Sequence, residues 1–263
     1  HMVRTYDNQL KVYESFTCDR CVLSDPGRAA EDIARVLDSA RANSLPVYIE
    51  VPRDMVARQV SLDLDNATGA SDPASDSSLS EAVEAAWTYI AAASRPVIIV
   101  GVEASRLGLE KRIVRMAEEA NIPMATTVLG KSAINETHPL SLGVYAGTMS
   151  PDRVRRVVEQ SDCLIFIGVL QTDVNCGFYP ARLSQANAIV AATDDLRVRN
   201  SHFEGVRLQD FVEGLYGSGL GKRTRPSIDP VPAKAEWVPR SGTQVTANRF
   251  FDRLSRMLGK EGA

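Results

Sequence analysis

Cysteine, histidine and long apolar runs are all scarce in this chain of 263 residues, and each scarcity closes off a class of function. Of four cysteines only Cys18 and Cys21 form a C-x-x-C pair. A thiol redox centre or half of a zinc site is the sharper reading of that pair. No second pair and no neighbouring histidine supplies further ligands, so two unrelated thiols in a reducing compartment are expected. No apolar run approaches the ~20 residues that span a bilayer, and no charged-then-apolar leader stands at the start. The expected compartment is the cytoplasm, without membrane contact. With 30 Lys and Arg against 33 Asp and Glu, the net charge is −3. No basic stripe interleaved with aromatics is present, so no nucleic-acid partner is expected.

What the chain does hold is a succession of strand and helix signals. The segment RPVIIVGVEASR, residues 95–106, is organised as a short β-branched run ending at Gly101. Such a run reads as a strand buried on both faces, as in parallel sheets. Leu107 to Ala120 then places Leu109, Ile113, Met116, Ala117 and Ala120 at helical spacing. A ligand of such a unit sits where the strand ends, here beside Gly101, Glu103, Ser105 and Arg106.

Around this unit the chain reads in order. Leu10 to Val22 is ambiguous. Asp25 and Pro26 suit the N-cap and first position of a helix ending near Asn43, followed by a strand at Pro46–Pro52. Residues 61–79, rich in Ser, Asp and Ala, have a linker's composition. Ser78 and Glu81 fit a capping box, and Leu79, Val83, Ala86, Trp87 and Ile90 form a helical stripe with Trp87 in the core. A second strand, Pro123–Leu129, leads into Gly130-Lys131-Ser132. Phosphate binding there lacks the first glycine of its motif, because position 125 is Ala, and no helix follows. Isolated His138 reads as a surface or hydrogen-bonding group.

Ser150-Pro151-Asp152 opens another helix, and Cys163–Val169 repeats the opening strand, again ending at a glycine. Gln171, Thr172, Asp173 and Asn175 follow it. A strand at Ala188–Ala192 and a helix at Leu208–Leu215 complete a unit spanning residues 80–217. The expected fold is α/β, an open and mostly parallel sheet with helices on both faces. Residues 218–245, with four prolines, read as an extended arm pinned by Trp237. Thr246 caps a final helix bearing Phe250, Phe251, Leu254 and Leu258.

Four segments together resemble one family: PVYIEVPRDM (46–55), RPVIIVGVEASR (95–106), LGKSAINETHPLSLGVYAGTMS (129–150) and IGVLQTDVNCGF (167–178). DLRVRNSHFEGVRLQDFVEGL (195–215) extends the likeness. The family is that of the thiamine-diphosphate-dependent 2-oxo acid decarboxylases, whose members decarboxylate pyruvate, indolepyruvate or phenylpyruvate. The resemblance implies a Rossmann-like middle domain at 80–217. Residues 1–60 then correspond to the end of the aminopyrimidine-binding domain, 61–79 and 218–245 to linkers, and 246–263 to the first helix of the diphosphate-binding domain.

By the same resemblance, thiamine diphosphate and Mg²⁺ belong to a complete enzyme. The family's glutamate that promotes the ylid lies upstream of position 1, and its GDG metal motif lies downstream of position 263. The paired active-site histidines have no counterpart, since His1, His138 and His202 are isolated. The expectation is therefore a fragment, inactive alone and binding no cofactor or metal by itself. Its partners are the flanking domains and, in a homo-oligomer, a second copy.

Within this reading His1 and Met2 are a tag remnant. An engineered or truncated piece is favoured over a natural stand-alone subunit. In some members a cysteine that responds to substrate occupies the position of Glu103, so that thiol mechanism does not carry over. Glu103 and Arg106 are the regulatory candidates, with Arg106 matching a basic residue near an effector carboxylate; the competing reading pairs the two in an ion pair. The alternative function is a stand-alone module for FAD, NAD or ADP. Against it, GVEASRLG is not G-x-G-x-x-G, and Glu103 would repel a pyrophosphate.

Overall fold

The structure is a computed structural model that describes residues 8–60, 76–170, 172, 188–193, 195–224, 227–228, 238–239 and 241–261. Two compact units divide the chain, His1–Ser227 and Ile228–Ala263. The first contains two sheets.

The smaller sheet pairs β1 (Asp19–Val22) in parallel with β2 (Val47–Glu50). Parallel neighbours need a crossover, and α2 (Ala29–Asn43) provides it. Cys21, Leu23, Ala29 and Val36 are buried together, with Ile33, Val47 and Ile49 packed against them. Ahead of β1, α1 (Asn8–Glu14) stacks Tyr13 on Tyr48 with ring centroids 4.4 Å apart. The expected cap of α2 is not formed. The Asp25 carboxylate instead accepts from Gly27 N at 2.8 Å, a local turn that competes with helix and delays its start to Ala29.

The larger sheet has seven strands in the order β5-β4-β3-β6-β7-β8-β9. At its centre β3 (Pro96–Val100) is buried at all five positions. It pairs in parallel with β4 (Met124–Thr126) on one side and β6 (Cys163–Ile167) on the other. β5 (Ser141–Val144) and β7 (Ala188–Ala191) extend the parallel part outward. β8 (Leu196–Val198) and β9 (Ser201–His202) close one edge in antiparallel fashion. The open, mostly parallel α/β sheet expected from the sequence is the architecture found.

Helix α7 (Leu208–Gly217) packs against both α3 (Asp76–Ala92) and α5 (Glu110–Ala120). α6 (Asp152–Glu159) crosses from β5 back to β6, opposite in direction to α5, and right-handed crossovers put it on the other face.

Several local expectations are corrected. The helix expected over Leu107–Ala120 starts only at Glu110 as α5, and a separate short helix, α4 (Val102–Arg106), precedes it, because Gly108 turns left-handed at φ +67° between them. β5 was hidden by Pro139 and Gly143; Gly143 sits at φ +95°, and the β4–β5 register shifts at Met124/Ala125. The Ser78–Glu81 capping box is absent, since α3 starts at Asp76 and Ser78 Oγ donates to Glu204 O at 3.2 Å. Ser150 Oγ accepts from Ala146 N at 2.7 Å rather than capping α6. Trp87 is 39% exposed, while Ala82, Ala86 and Ile90 form the buried stripe. Its indole instead donates to Gly219 O at 3.0 Å. Trp237, Gln171, Asp173 and Asn175 lie outside the described residues.

Beyond α7 several side chains strap the chain down, Arg223 among them. Arg223 donates from Nη1 to Ala93 O at 2.9 Å and from Nη2 to Ile90 O, satisfying carbonyls at the C-terminus of α3. Its own carbonyl accepts from Asn121 Nδ2 at 2.7 Å, just past α5. In the second unit, α8 (Ala247–Glu261) is capped by Thr246, whose Oγ1 accepts from Arg249 N at 3.3 Å. Phe250, Phe251 and Leu258 on α8 are exposed. Arg223→Ala is expected to lower stability by about 1.5–3 kcal/mol, the worth of hydrogen bonds from a charged donor, measured by urea unfolding.

Candidate functional site

Strand order reverses between β3 and β6, so their carboxyl ends mark the crevice where open α/β sheets receive ligands. In this chain backbone approaches backbone closely there. A Cβ on Gly101 would lie 2.0 Å from Gly168 O, and one on Gly168 would lie 2.3 Å from Ala104 N. Gly168 also has φ +63°. On the other side, a Cβ on Gly130 would come within 2.6 Å of Val100 O. Three glycines thus allow three loops to meet at the end of β3.

A chain of hydrogen bonds fixes this contact. Gly101 N donates to Ile167 O at 2.9 Å, Gly168 N to Ala191 O at 2.7 Å, and Glu103 N to Gly168 O at 3.0 Å. The Glu103 carboxylate then accepts from Thr193 N at 3.0 Å. Glu103 therefore ties α4 to the loop after β7. Arg106, on the same short helix, is exposed and has no partner among the described residues. The Glu103–Arg106 ion pair offered as the competing reading is not formed. Sequence reasoning found the two glycine-terminated strands but not the role of Thr193, because a backbone N–H carries no sequence signal.

The other candidates are accounted for locally. Lys131 Nζ lies 2.8 Å from Glu136 Oε1, so the cation of the Gly-Lys-Ser turn is engaged with a carboxylate. His138 Nδ1 accepts from Leu140 N at 3.2 Å and Nε2 lies 3.0 Å from Glu118 Oε1. That network assigns the ring proton to Nε2 and makes His138 a hydrogen-bonding group. Cys18, Cys21 and Cys163 are free thiols. Burial pushes the Cys21 thiol up, and pushes Cys163 up to about 12, which leaves both poor nucleophiles. Among the described residues no group of three or more His, Cys, Asp or Glu is placed to hold a metal ion. The described side chains thus offer no oxygen cage for Mg²⁺. No described helix is long and apolar enough to cross a membrane.

Residues 83–212 match the central domain of the thiamine pyrophosphate enzymes. The seven-stranded sheet is thus the central domain of that enzyme class, to which the chain belongs. Within the class its likeness is to 2-oxo acid decarboxylases. It is 35% identical over 215 residues to an indole-3-pyruvate decarboxylase of Azospirillum brasilense, covering 82% of this chain and 39% of that one. A pyruvate decarboxylase of Aspergillus fumigatus is 31% identical over 238 residues, 87% of this chain and 41% of its own. One from Candida albicans is 29% identical over 227 residues, 84% of this chain and 39% of its own. The chain spans about two fifths of the length of these relatives. These matches do not favour a nucleotide-binding module.

Gly101→Ala is expected to cost roughly 3 kcal/mol or more, since a methyl group would be driven into the Gly168 peptide. Glu103→Ala leaves Thr193 N without its acceptor and should cost about 1–3 kcal/mol, whereas Glu103→Gln keeps an acceptor oxygen and should recover most of it. Denaturant unfolding of the three variants measures both.

Proposed function

We propose that this chain is the centre of a thiamine-diphosphate-dependent 2-oxo acid decarboxylase, acting as a scaffold between catalytic domains and inactive alone. The supporting observation is the likeness to the indole-3-pyruvate decarboxylase, which extends over 82% of the chain and so beyond residues 83–212. The complete enzyme would remove CO₂ from a 2-oxo acid and release an aldehyde. Thiamine diphosphate supplies the carbanion stabilisation that this reaction needs. Its Mg²⁺ requires hard oxygen ligands, which the described residues do not gather, so no step through the cofactor is assigned to this chain.

In this reading residues 1–60 end the aminopyrimidine-binding domain and 246–263 begin the diphosphate-binding domain, with linkers at 61–79 and 218–245 around the central 80–217. The partners are those domains and a second copy, in the cytoplasm. Arg106 is the effector residue: its exposed guanidinium suits the carboxylate of a 2-oxo acid. Glu103 is the tie that positions the helix bearing it.

The test is a chimaera in which this chain replaces the matching segment of the A. brasilense enzyme. Retained thiamine-diphosphate-dependent aldehyde production is expected, while a folded but inactive chimaera would count against the proposal. The chain by itself, given thiamine diphosphate, Mg²⁺ and pyruvate or phenylpyruvate, should form no aldehyde. Its melting temperature should be unmoved by FAD, NAD or ADP. Phenylpyruvate should raise it, and Arg106→Ala should remove that rise.

A further inference from the structure

A groove of about 710 Å³ runs between α3 and the turn joining β8 to β9, on a part of the molecule that the decarboxylase reading does not use. One wall carries Arg199, whose guanidinium lies 5.3 Å from the centre of the Tyr89 ring. That ring is itself held, because Tyr89 OH donates to Asp162 O at 2.9 Å. The carboxylate nearest in sequence, Asp195, is already engaged by Arg197 at 2.9 Å and His202 at 3.1 Å. Arg199 is therefore left without an acidic partner among the described residues.

α3, which also carries Tyr89, presents Glu81 and Glu84 to the same groove, and neither has a basic partner among the described residues. Arg199 and these glutamates line one groove without forming an ion pair, so charges of both signs are offered to a solute there. Ala85 and Val198 line the same groove and give it an apolar floor. We propose that this groove binds the zwitterion of a free α-amino acid with an apolar side chain, its carboxylate on Arg199 and its ammonium against Glu81 and Glu84. The chemistry is that of charge-assisted hydrogen bonds at both ends of one small molecule. Because both ends are open to water, binding is modest in strength and weakens with salt.

The test uses the full chain with L-leucine as probe, in saturation-transfer NMR and calorimetry. Leucine is expected to bind in the millimolar range or better. Isoamylamine, which keeps only the ammonium, and isocaproate, which keeps only the carboxylate, should bind at least about tenfold more weakly. α-Ketoisocaproate lacks the ammonium, so any binding of it should be kept in Arg199→Gly and lost in Arg106→Ala, which separates this groove from an effector contact at Arg106. Arg199→Gly and Glu81→Gln/Glu84→Gln should each lose leucine binding at least about tenfold. The glutamates are exposed on a helix surface, so their variant tests the groove even if the turn variant folds poorly. No leucine binding at about 10 mM, equal binding of isoamylamine, or full binding by the glutamate variant would each overturn the proposal.

Discussion

The contact between the Gly101 and Gly168 backbones, at the carboxyl ends of β3 and β6, is the constraint on which the central sheet depends. β3 and β6 are the two longest strands and lie side by side at the middle of the sheet. Every further strand is added outward from this pair. Because no side chain intervenes, α4 can sit directly on the loop after β6, and Glu103 can reach the loop after β7.

Much of this was legible in the sequence because the signals were long or chemically exclusive. β3 and β6 are uninterrupted apolar runs ending in glycine, and a pattern of that kind has few alternatives to a buried parallel strand. What stayed hidden was short or depended on partners distant in sequence. β8 and β9 have three and two residues, too few for any periodicity to register. β5 carries a glycine and follows a proline, so its strand character comes from β4 alongside rather than from its own composition. Trp87 was placed in the core by helical spacing. Its exposure follows from a neighbouring carbonyl, Gly219 O, that no local pattern announces.

The candidate site divides along the same line. Position and residue type named Glu103 and Arg106, but only the three-dimensional arrangement separates their roles. Three residues apart on one helical turn, one carboxylate is consumed by a backbone N–H and one guanidinium is left in solvent. A sequence cannot distinguish a charge that holds the protein together from one that is offered to a ligand. The lysine of the Gly-Lys-Ser turn makes the same point, since its pairing with Glu136 is what takes it away from a phosphate role.

The antiparallel end of the large sheet bears on how the protein keeps to itself. A parallel sheet ending in a long apolar strand would offer a row of unpaired peptide groups to any passing chain. Here the margin is only two residues, Ser201 and His202, both exposed, and Arg197, His202 and Asp195 place charge beside it. Such a margin gives an incoming strand almost no length to register against and requires it to displace an ion pair. At this edge the hairpin therefore limits extension of the sheet into a neighbouring chain.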